Sequence, residues 1–366
     1  MRESWEIKRI GDVCEVLDSK RKPITKSNRQ SGSIPYYGAT GIQDYVKDYI
    51  FDGRYLLVGE DGAKWGKNDN TAFIIEGKSW VNNHAHILQL HSNVIDSFAR
   101  YYLNGKDLNS FITGAVVPKL TQAALVGIPI PVPSPEEQER IVAELDLLTE
   151  IIDKQKQQLK ELDNLAQAIF YDMFGSPYAN EKEWIMKPLA EIGTIVSGST
   201  PSTSDESNWD GDVNWVTPAE LGVQLFYGET RRKITSKAAK SLTIMPIGTL
   251  LMSSRAPIGK LAITSVPMCC NQGFKNIVCG NNVNNIYLYY CLMLNINSIK
   301  AMGRGATFKE VSKQVVSSFE IMLPPMNLQE PFAQKILSIE AQKQSINRSI
   351  AESQKLFDYT MDKYFG

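Results

Sequence analysis

The chain has 366 residues, 43% hydrophobic and 22% charged, a globular composition too long for one ordinary core when domains run to about 100–200 residues. Its formal net charge is −1, from 39 basic and 40 acidic residues, which excludes a protein that coats nucleic acid through bulk charge; any such surface must be local. The sequence has no apolar run of the roughly 18 residues that a membrane helix needs, and the start MRESWEIKRIGD lacks a signal-peptide pattern, so a soluble, cytoplasmic protein with no membrane contact is expected. The five cysteines, Cys14, Cys269, Cys270, Cys279 and Cys291, form no CxxC pair and are odd in number, which reads as reduced core thiols.

In chain order, the densest basic stretch comes first: SKRKPITKSNRQ carries Lys20, Arg21, Lys22, Lys26 and Arg29 without an acid, either a solvated loop or a local anion surface. Short apolar runs follow, YLLVGEDG, TAFIIEG, HAHILQL and LVGIPIPV, broken by glycine and asparagine as strands are. A helix is expected at IDSFARYYLNG. The second half repeats the plan with DVNWVTP, GTLLMSSR, LAITSVP, KNIVCG and a helix near IYLYYCLMLNI.

The halves also end alike. An offset of 191 pairs Gly114-Ala115 with Gly305-Ala306, Ile130 with Ile321, Pro133 with Pro324, Gln138 with Gln329, Glu139 with Glu330, and Phe174-Gly175 with Phe365-Gly366. The half starts correspond too, Trp5 with Trp184, at an offset of 179, so the second half carries insertions. Each half closes on a helix with a heptad seam. The first reads Ile141, Leu145, Leu148, Ile152, Gln155, Leu159, Leu162, Ala166 and Ile169; the second reads Phe332, Ile336, Ile339, Ile346, Ile350 and Phe357, interrupted by Lys343, Ser353 and Thr360. Pro135 and Pro331 are expected near the helix starts, and Gly175 and Gly366 past the ends. A helix leading out of one globular part and another leading back must run antiparallel. The fold class is therefore mixed α/β: two globular domains separated by two long helices in an antiparallel coiled coil, with a pseudo-twofold internal repeat. The boundaries read 1–134 for the first domain, 135–175 for the central helix, 176–325 for linker and second domain, and 326–366 for the last helix. Such doubled symmetry suits a protein that reads two stretches of one duplex, the helices acting as a spacer.

SIPYYGATGIQDYVKDYIFDGRYLLVGEDGAKWG, SGSTPSTSDESNWDGDVNWVTPAEL and LLMSSRAPIGKLAITSVPMCCNQGF resemble the target-recognition domains of type I restriction-modification specificity subunits, and the PSPEEQERIV and LPPMNLQEPFAQKI junctions resemble the regions that follow them. The resemblance covers essentially the whole chain. It implies a non-catalytic subunit that reads a bipartite, asymmetric target in double-stranded DNA, joins two methyltransferase subunits and, in the larger assembly, motor-nuclease subunits. It also implies no cofactor in this chain, with S-adenosylmethionine, ATP and magnesium serving the partners.

Base reading needs Arg or Lys for guanine and Asn or Gln for adenine, while phosphate binding uses Lys, Arg, Ser and Thr. On that basis the DNA-binding candidates of the first domain are Lys20, Arg21, Lys22, Tyr37, Thr40, Lys64, Lys67, Asn83, His84 and Lys119. Those of the second are Ser199, Thr200, Ser254, Arg255, Lys260, Asn271, Gln272, Lys275, Arg304, Thr307 and Lys309. The match places Asn83-His84 against Asn271-Gln272, and Lys64 against the Arg255 loop. Trp65, Tyr37 and Phe274 could stack on bases, with core packing the more ordinary role.

Catalytic patterns are missing. His84-x-His86 with His91 invites a metal reading, but no nearby carboxylate or cysteine is expected to complete it, so no metal site is assigned. APIGKLA lacks the first glycine and the hydroxyl residue of a phosphate loop. No NPPY-like methyltransferase motif occurs, and Glu60, Asp61 and Lys64 lie in one turn without a partner acid for two-metal hydrolysis. Two other readings stay open: a self-sufficient DNA-modifying enzyme, and a helical-hairpin adaptor that binds protein only.

Overall fold

The computed structural model describes residues 5–255, 257–303 and 310–366. The chain forms two compact units, one of residues 1–157 with 346–366 and one of residues 158–345.

In the first unit, β1 (Glu6–Arg9), α1 (Ile10–Val13) and β2 (Cys14–Val16) lead to the hairpin β3 (Ser31–Gly38) and β4 (Gly41–Val46), then β5 (Phe51–Gly59), β6 (Ala72–Val81) and β7 (Ala85–Leu90). Helices α2 (Asp96–Gly105) and α3 (Gln122–Gly127) and strand β8 (Pro129–Val132) follow, and α4 begins at Pro135 and runs to Phe174. Six strands make one sheet in the order β2-β7-β5-β6-β3-β4, while β1 and β8 pair antiparallel by themselves. Both β6 and β7 lie antiparallel to β5, on its two edges. The short link from Asn82 to His84 must therefore lead to the far edge, and it brings Ala85 opposite Gly59. One face of the sheet packs on α2, with Leu56, Val58, Leu88, Phe98 and Tyr102 in a core that also takes Ile141 and Leu145 of α4 and Met361, Tyr364 and Phe365 near the end of the chain.

The second unit repeats the order: β9 (Met186–Pro188), α5 (Leu189–Ile192), β10 (Gly193–Ser197), β11 (Trp209–Val216), β12 (Phe226–Tyr227), β13 (Arg232–Ile234), α6 (Ser236–Ala239), β14 (Leu250–Met252), β15 (Leu261–Thr264), β16 (Cys269–Cys270), β17 (Lys275–Cys279), α7 (Asn285–Leu294), α8 (Ile296–Ala301), α9 (Lys313–Ser318), β18 (Glu320–Met322) and α10 (Met326–Phe365). Strands β9 and β18 pair as β1 and β8 do. Here the main sheet is divided, into β10-β17-β14-β15-β12 and β13-β11-β16. The pairing of β3 with the end of β6 is repeated by β11 with β16, and the extra strand β12, which lies where the second half carries inserted sequence, pairs parallel with β15. Phe170, Phe174, Tyr287 and Phe332 meet in the core, with Phe174 and Tyr287 edge-on at 4.9 Å.

The long helices each contribute to both units. Within the first, Arg140 and Glu144 of α4 meet Tyr364, and further along Gln155 meets Ser349, so partner numbers fall as α4 advances and the segments are antiparallel. Within the second, Lys343 pairs with Asp163, and Phe332 packs on Phe170 and Phe174, the same antiparallel sense. Ile141, Leu145, Leu148, Ile152, Phe332, Ile336 and Ile339 of the seam are buried. The seam lysine is accommodated by charge: burial alone would lower the Lys343 pKa, but hydrogen bonds to Asp163 and Glu340 outweigh it and raise the value. Helix α4 opens with Pro135, and Pro331 is near the start of α10, in its second turn. It lies inside α10, five residues past Met326. The helix pattern begins where the repeat places it, and the proline removes one backbone donor from the second turn. Gly175 does close α4, at φ +78°, with its N–H donating to Tyr171 O at 2.8 Å. All five cysteines are free, and burial pushes the thiols of Cys14, Cys270 and Cys291 up to about 12.

Candidate nucleic-acid interface

Four loops of the first unit converge beside the paired ends of β5 and β7. They are the segment after β2, the turn after β5, the crossing link before β7 and the segment before α3. Backbone bonds set the frame: Glu60 N–H donates to His84 O at 2.8 Å, Leu120 N–H to Glu60 O at 2.8 Å, and Asn82 N–H to Tyr37 O at 3.0 Å. Charge then locks it. The Arg21 guanidinium pairs with Asp18 at 3.0 Å and with Glu60, and donates to Ala85 O at 2.9 Å. Lys119 reaches Glu60 at 2.7 Å. Fully buried His86 stands between Asp18 Oδ2, 2.5 Å from Nδ1, and Leu120 O, 2.7 Å from Nε2; a carbonyl can only accept, so Nε2 donates. Burial alone would raise the Glu60 pKa, but hydrogen bonds from Lys119 and Arg21 outweigh it and hold the carboxyl below its ordinary range.

The expectation that no carboxylate would approach the histidines is corrected by this arrangement. Asp18 and Glu60 lie beside His86, and Asp61 meets His84 Nδ1 at 2.5 Å. Asp18 comes from a segment far away in sequence, so the turn at Glu60 has the partner acid that local spacing could not reveal. Asp18, Glu60 and His86 are close enough together to hold a cation. Their ligand atoms, however, are already committed: His86 Nε2 to the Leu120 carbonyl, and the carboxylates to Arg21 and Lys119, which supply the positive charge there.

The second unit builds the same junction from different residues. Ser254 N–H donates to Gly273 O at 2.8 Å, Val311 N–H to Ser254 O at 3.0 Å, and Asn271 N–H to Val216 O at 3.1 Å. The charges change places: Glu310 occupies the position of Lys119, and Arg255 and Lys275 approach it at 3.4 and 3.5 Å. These bonds shift the sequence match by one residue. Asn271 corresponds to Asn82, each side chain accepting from a backbone N–H two residues on, at 2.9 and 2.8 Å. Asn83 therefore corresponds to Gln272. The bridges Asp61–Lys119 and Arg255–Glu310 likewise set Arg255 against Asp61 rather than Lys64.

The candidates divide by placement. Lys20, Lys22, Thr40, Lys64 and Asn83 are exposed, and the three lysines make no ion pair among the described residues. His84 is exposed and bound to Asp61. Lys67 lies in the same turn but is engaged with Asp362 at 2.6 Å. Arg21 and Lys119 are turned into the cluster. Ser199 and Thr200 are exposed, and Thr200 donates to Gln272 at 2.5 Å. Lys260 is spent on Pro218 O at 2.9 Å. Ser254 and Lys275 are buried and brace the loops, Lys275 Nζ donating to Ser254 Oγ at 3.4 Å. Arg304, Thr307 and Lys309 lie outside the described residues. Trp65 and Phe274 are core residues, and Tyr37 packs against Phe73. Sequence reasoning missed Asp18, Glu60 and His86 as the centre of the junction.

A doubled α/β head, each copy holding a braced set of polar loops, defines a two-domain specificity protein. The chain belongs to the type I restriction-modification specificity family: the family model described as "Type I restriction modification DNA specificity domain" matches residues 2–164 and 181–353. The chain is 28% identical over 375 residues to the putative type I restriction enzyme specificity subunit S.HindORF215P of Haemophilus influenzae, covering 97% of this chain and 93% of that one. It is 39% identical over 158 residues to the MjaIX specificity subunit of Methanocaldococcus jannaschii, covering 42% and 37%. The fold matches the crystal structure of a type I S subunit from M. genitalium with a TM-score of 0.62 at 13% identity, over 100% of this chain and 98% of that one. No helix among the described residues is long and apolar enough to cross a membrane.

Proposed function

We propose that this chain is the non-catalytic, DNA-reading subunit of a type I restriction-modification complex in the cytoplasm, each unit reading one half of a bipartite, asymmetric duplex target. It works with two methyltransferase subunits and, in the full assembly, motor-nuclease subunits, and S-adenosylmethionine, ATP and magnesium act on those partners. One observation carries the reading: the same backbone junction of loops is built twice, with Glu60, His86 and Lys119 in one copy and Ser254, Lys275 and Glu310 in the other. Equal scaffolds with unequal side chains suit two readers of different sequence. Exposed Lys20, Lys22 and Lys64 fit phosphate contact, which positions, while Asn83 and Gln272 carry the paired donors and acceptors that discriminate bases.

The test co-expresses the chain with its methyltransferase subunit and maps methylated adenines across a host genome by single-molecule sequencing. A bipartite motif that vanishes without this chain is expected. Replacing residues 1–134 by the corresponding domain of a relative should change one half of that motif only. An intact complex without any motif would favour the protein adaptor, and methylation by the chain alone would favour the self-sufficient enzyme.

A further inference from the structure

The segment between Thr113 and Lys119 is a small hairpin, closed by Thr113 N–H to Lys119 O at 2.9 Å and the reciprocal bond at 2.8 Å, with Gly114 at φ +95°. Its tip presents two β-branched apolar side chains to solvent, Val116 at 93% and Val117 at 62% exposure. Its base is fixed. Lys119 pairs with Glu60 at 2.7 Å and forms a backbone bridge with Asp61, and the next residue, Leu120, is held by Glu60 and His86. A rigid support under an exposed apolar tip is the opposite of what solubility favours, and its base is joined through Glu60 and Asp61 to the turn that carries exposed Lys64.

The hydrogen-bonding groups at this junction are largely consumed. Arg21, Asp18, Glu60, His86 and Lys119 satisfy one another, and the remaining exposed lysines suit phosphates. An apolar tip has one feature of a base pair to recognise, the 5-methyl group of thymine in the major groove. We infer that Val116 and Val117 are specificity-determining residues that contact a thymine methyl in the half-site read by the first unit. The inference rests on the DNA-reading function proposed above and names one base that the first unit selects.

The experiment uses the purified complex of this chain with its methyltransferase and duplexes carrying the mapped target. Each thymine of the first unit's half-site is replaced singly by deoxyuridine, which removes the methyl group and nothing else. At one or more positions binding should weaken about fourfold, the worth of burying one methyl-sized group. In Val116→Ser/Val117→Ser, thymine and deoxyuridine should bind alike at that position, while thymines of the other half-site keep their effect. Both residues are exposed, so the variant should retain the fold, which a thermal melt beside the parent chain and intact assembly with the methyltransferase report. A half-site without an A·T pair, indifference to every deoxyuridine, or sensitivity that persists in the variant overturns the inference while leaving the DNA-reading function intact. Absence of any methylated motif removes that function first, and the inference with it.

Discussion

Gln138 and Gln329 make the same three hydrogen bonds, each in its own unit. Oε1 accepts from the N–H of the residue capping the following helix, Ile95 or Asn284, at 2.8 Å in both cases. Nε2 donates to Asn93 O and Pro133 O at 2.9 and 3.0 Å, and to Asn282 O and Pro324 O at 3.3 and 2.7 Å. Both side chains are fully buried, so each glutamine pins the start of a head helix to the first turn of a long helix. Gln138→Leu strands one N–H and two carbonyls and should cost about 2–4 kcal/mol, with Gln329→Leu close to it. Urea denaturation of the purified chain measures both, and a loss below about 1 kcal/mol in either would mean that the clamp does not hold the unit together.

The Glu60 cluster gives the first unit a pH dependence with a defined sign. Its folded-state pKa lies below the ordinary 4.5, so the stabilisation is complete above that value and is lost as pH falls through the folded pKa. The partner works the other way: the hydrogen bond to Glu60 raises Lys119 above 10.5, so that contribution is present below 10.5 and fades as pH rises through the raised value. Glu60→Gln should destabilise the first unit by about 1.5–3 kcal/mol near neutrality, because Lys119 and Arg21, which keeps Asp18, lose a charged acceptor. The gap should narrow as pH drops below 4.5. A melting-temperature difference that is constant from pH 7 to pH 3 would remove Glu60 from the account.

What could be read from sequence follows from how far apart the determining residues lie. The long helices and their seam are local periodicities, and Ile141, Leu145, Phe332 and Ile336 are buried as that periodicity demands. The repeat is also plain, since Gln138 and Gln329 keep one offset. Pro331 lies in the second turn of α10, near the start expected at residue 326. The junction at Glu60 was not legible: Asp18, His86 and Lys119 reach it from three other segments, and only the strand register brings them there. For the same reason Arg21 and Lys275, basic residues in promising stretches, proved to be internal braces.

Gly175 ends α4 in the left-handed region at φ +78°. Gly175→Ala should cost about 1 kcal/mol, the ordinary penalty of a Cβ in that conformation, and Gly175→Asn should cost less, because asparagine tolerates it. Thermal melts of the two variants beside the parent chain decide the ranking; equal costs would show that the neighbourhood, not the backbone angle, selects glycine.

Gln155 is the polar break in the seam of α4. Its Nε2 donates to Ser349 Oγ at 2.7 Å, while its Oε1 is buried without a partner among the described residues. An orphaned acceptor costs about 1–3 kcal/mol, at least as much as the roughly 0.5–1.5 kcal/mol that one neutral hydrogen bond returns. Gln155→Leu removes that acceptor and adds apolar contact, at the expense of a serine hydroxyl that is only part-buried and can turn to water. Stability should stay level or rise by about 1 kcal/mol. Gln155→Leu with Ser349→Ala should gain more than the two single changes together, since the side chains touch. Polar pairs in such seams can be kept for register rather than stability, so the second readout is uniqueness: a double variant that is more stable but gives broadened amide spectra would assign the pair to register. Unfolding of Gln155→Leu would reject the seam assignment itself.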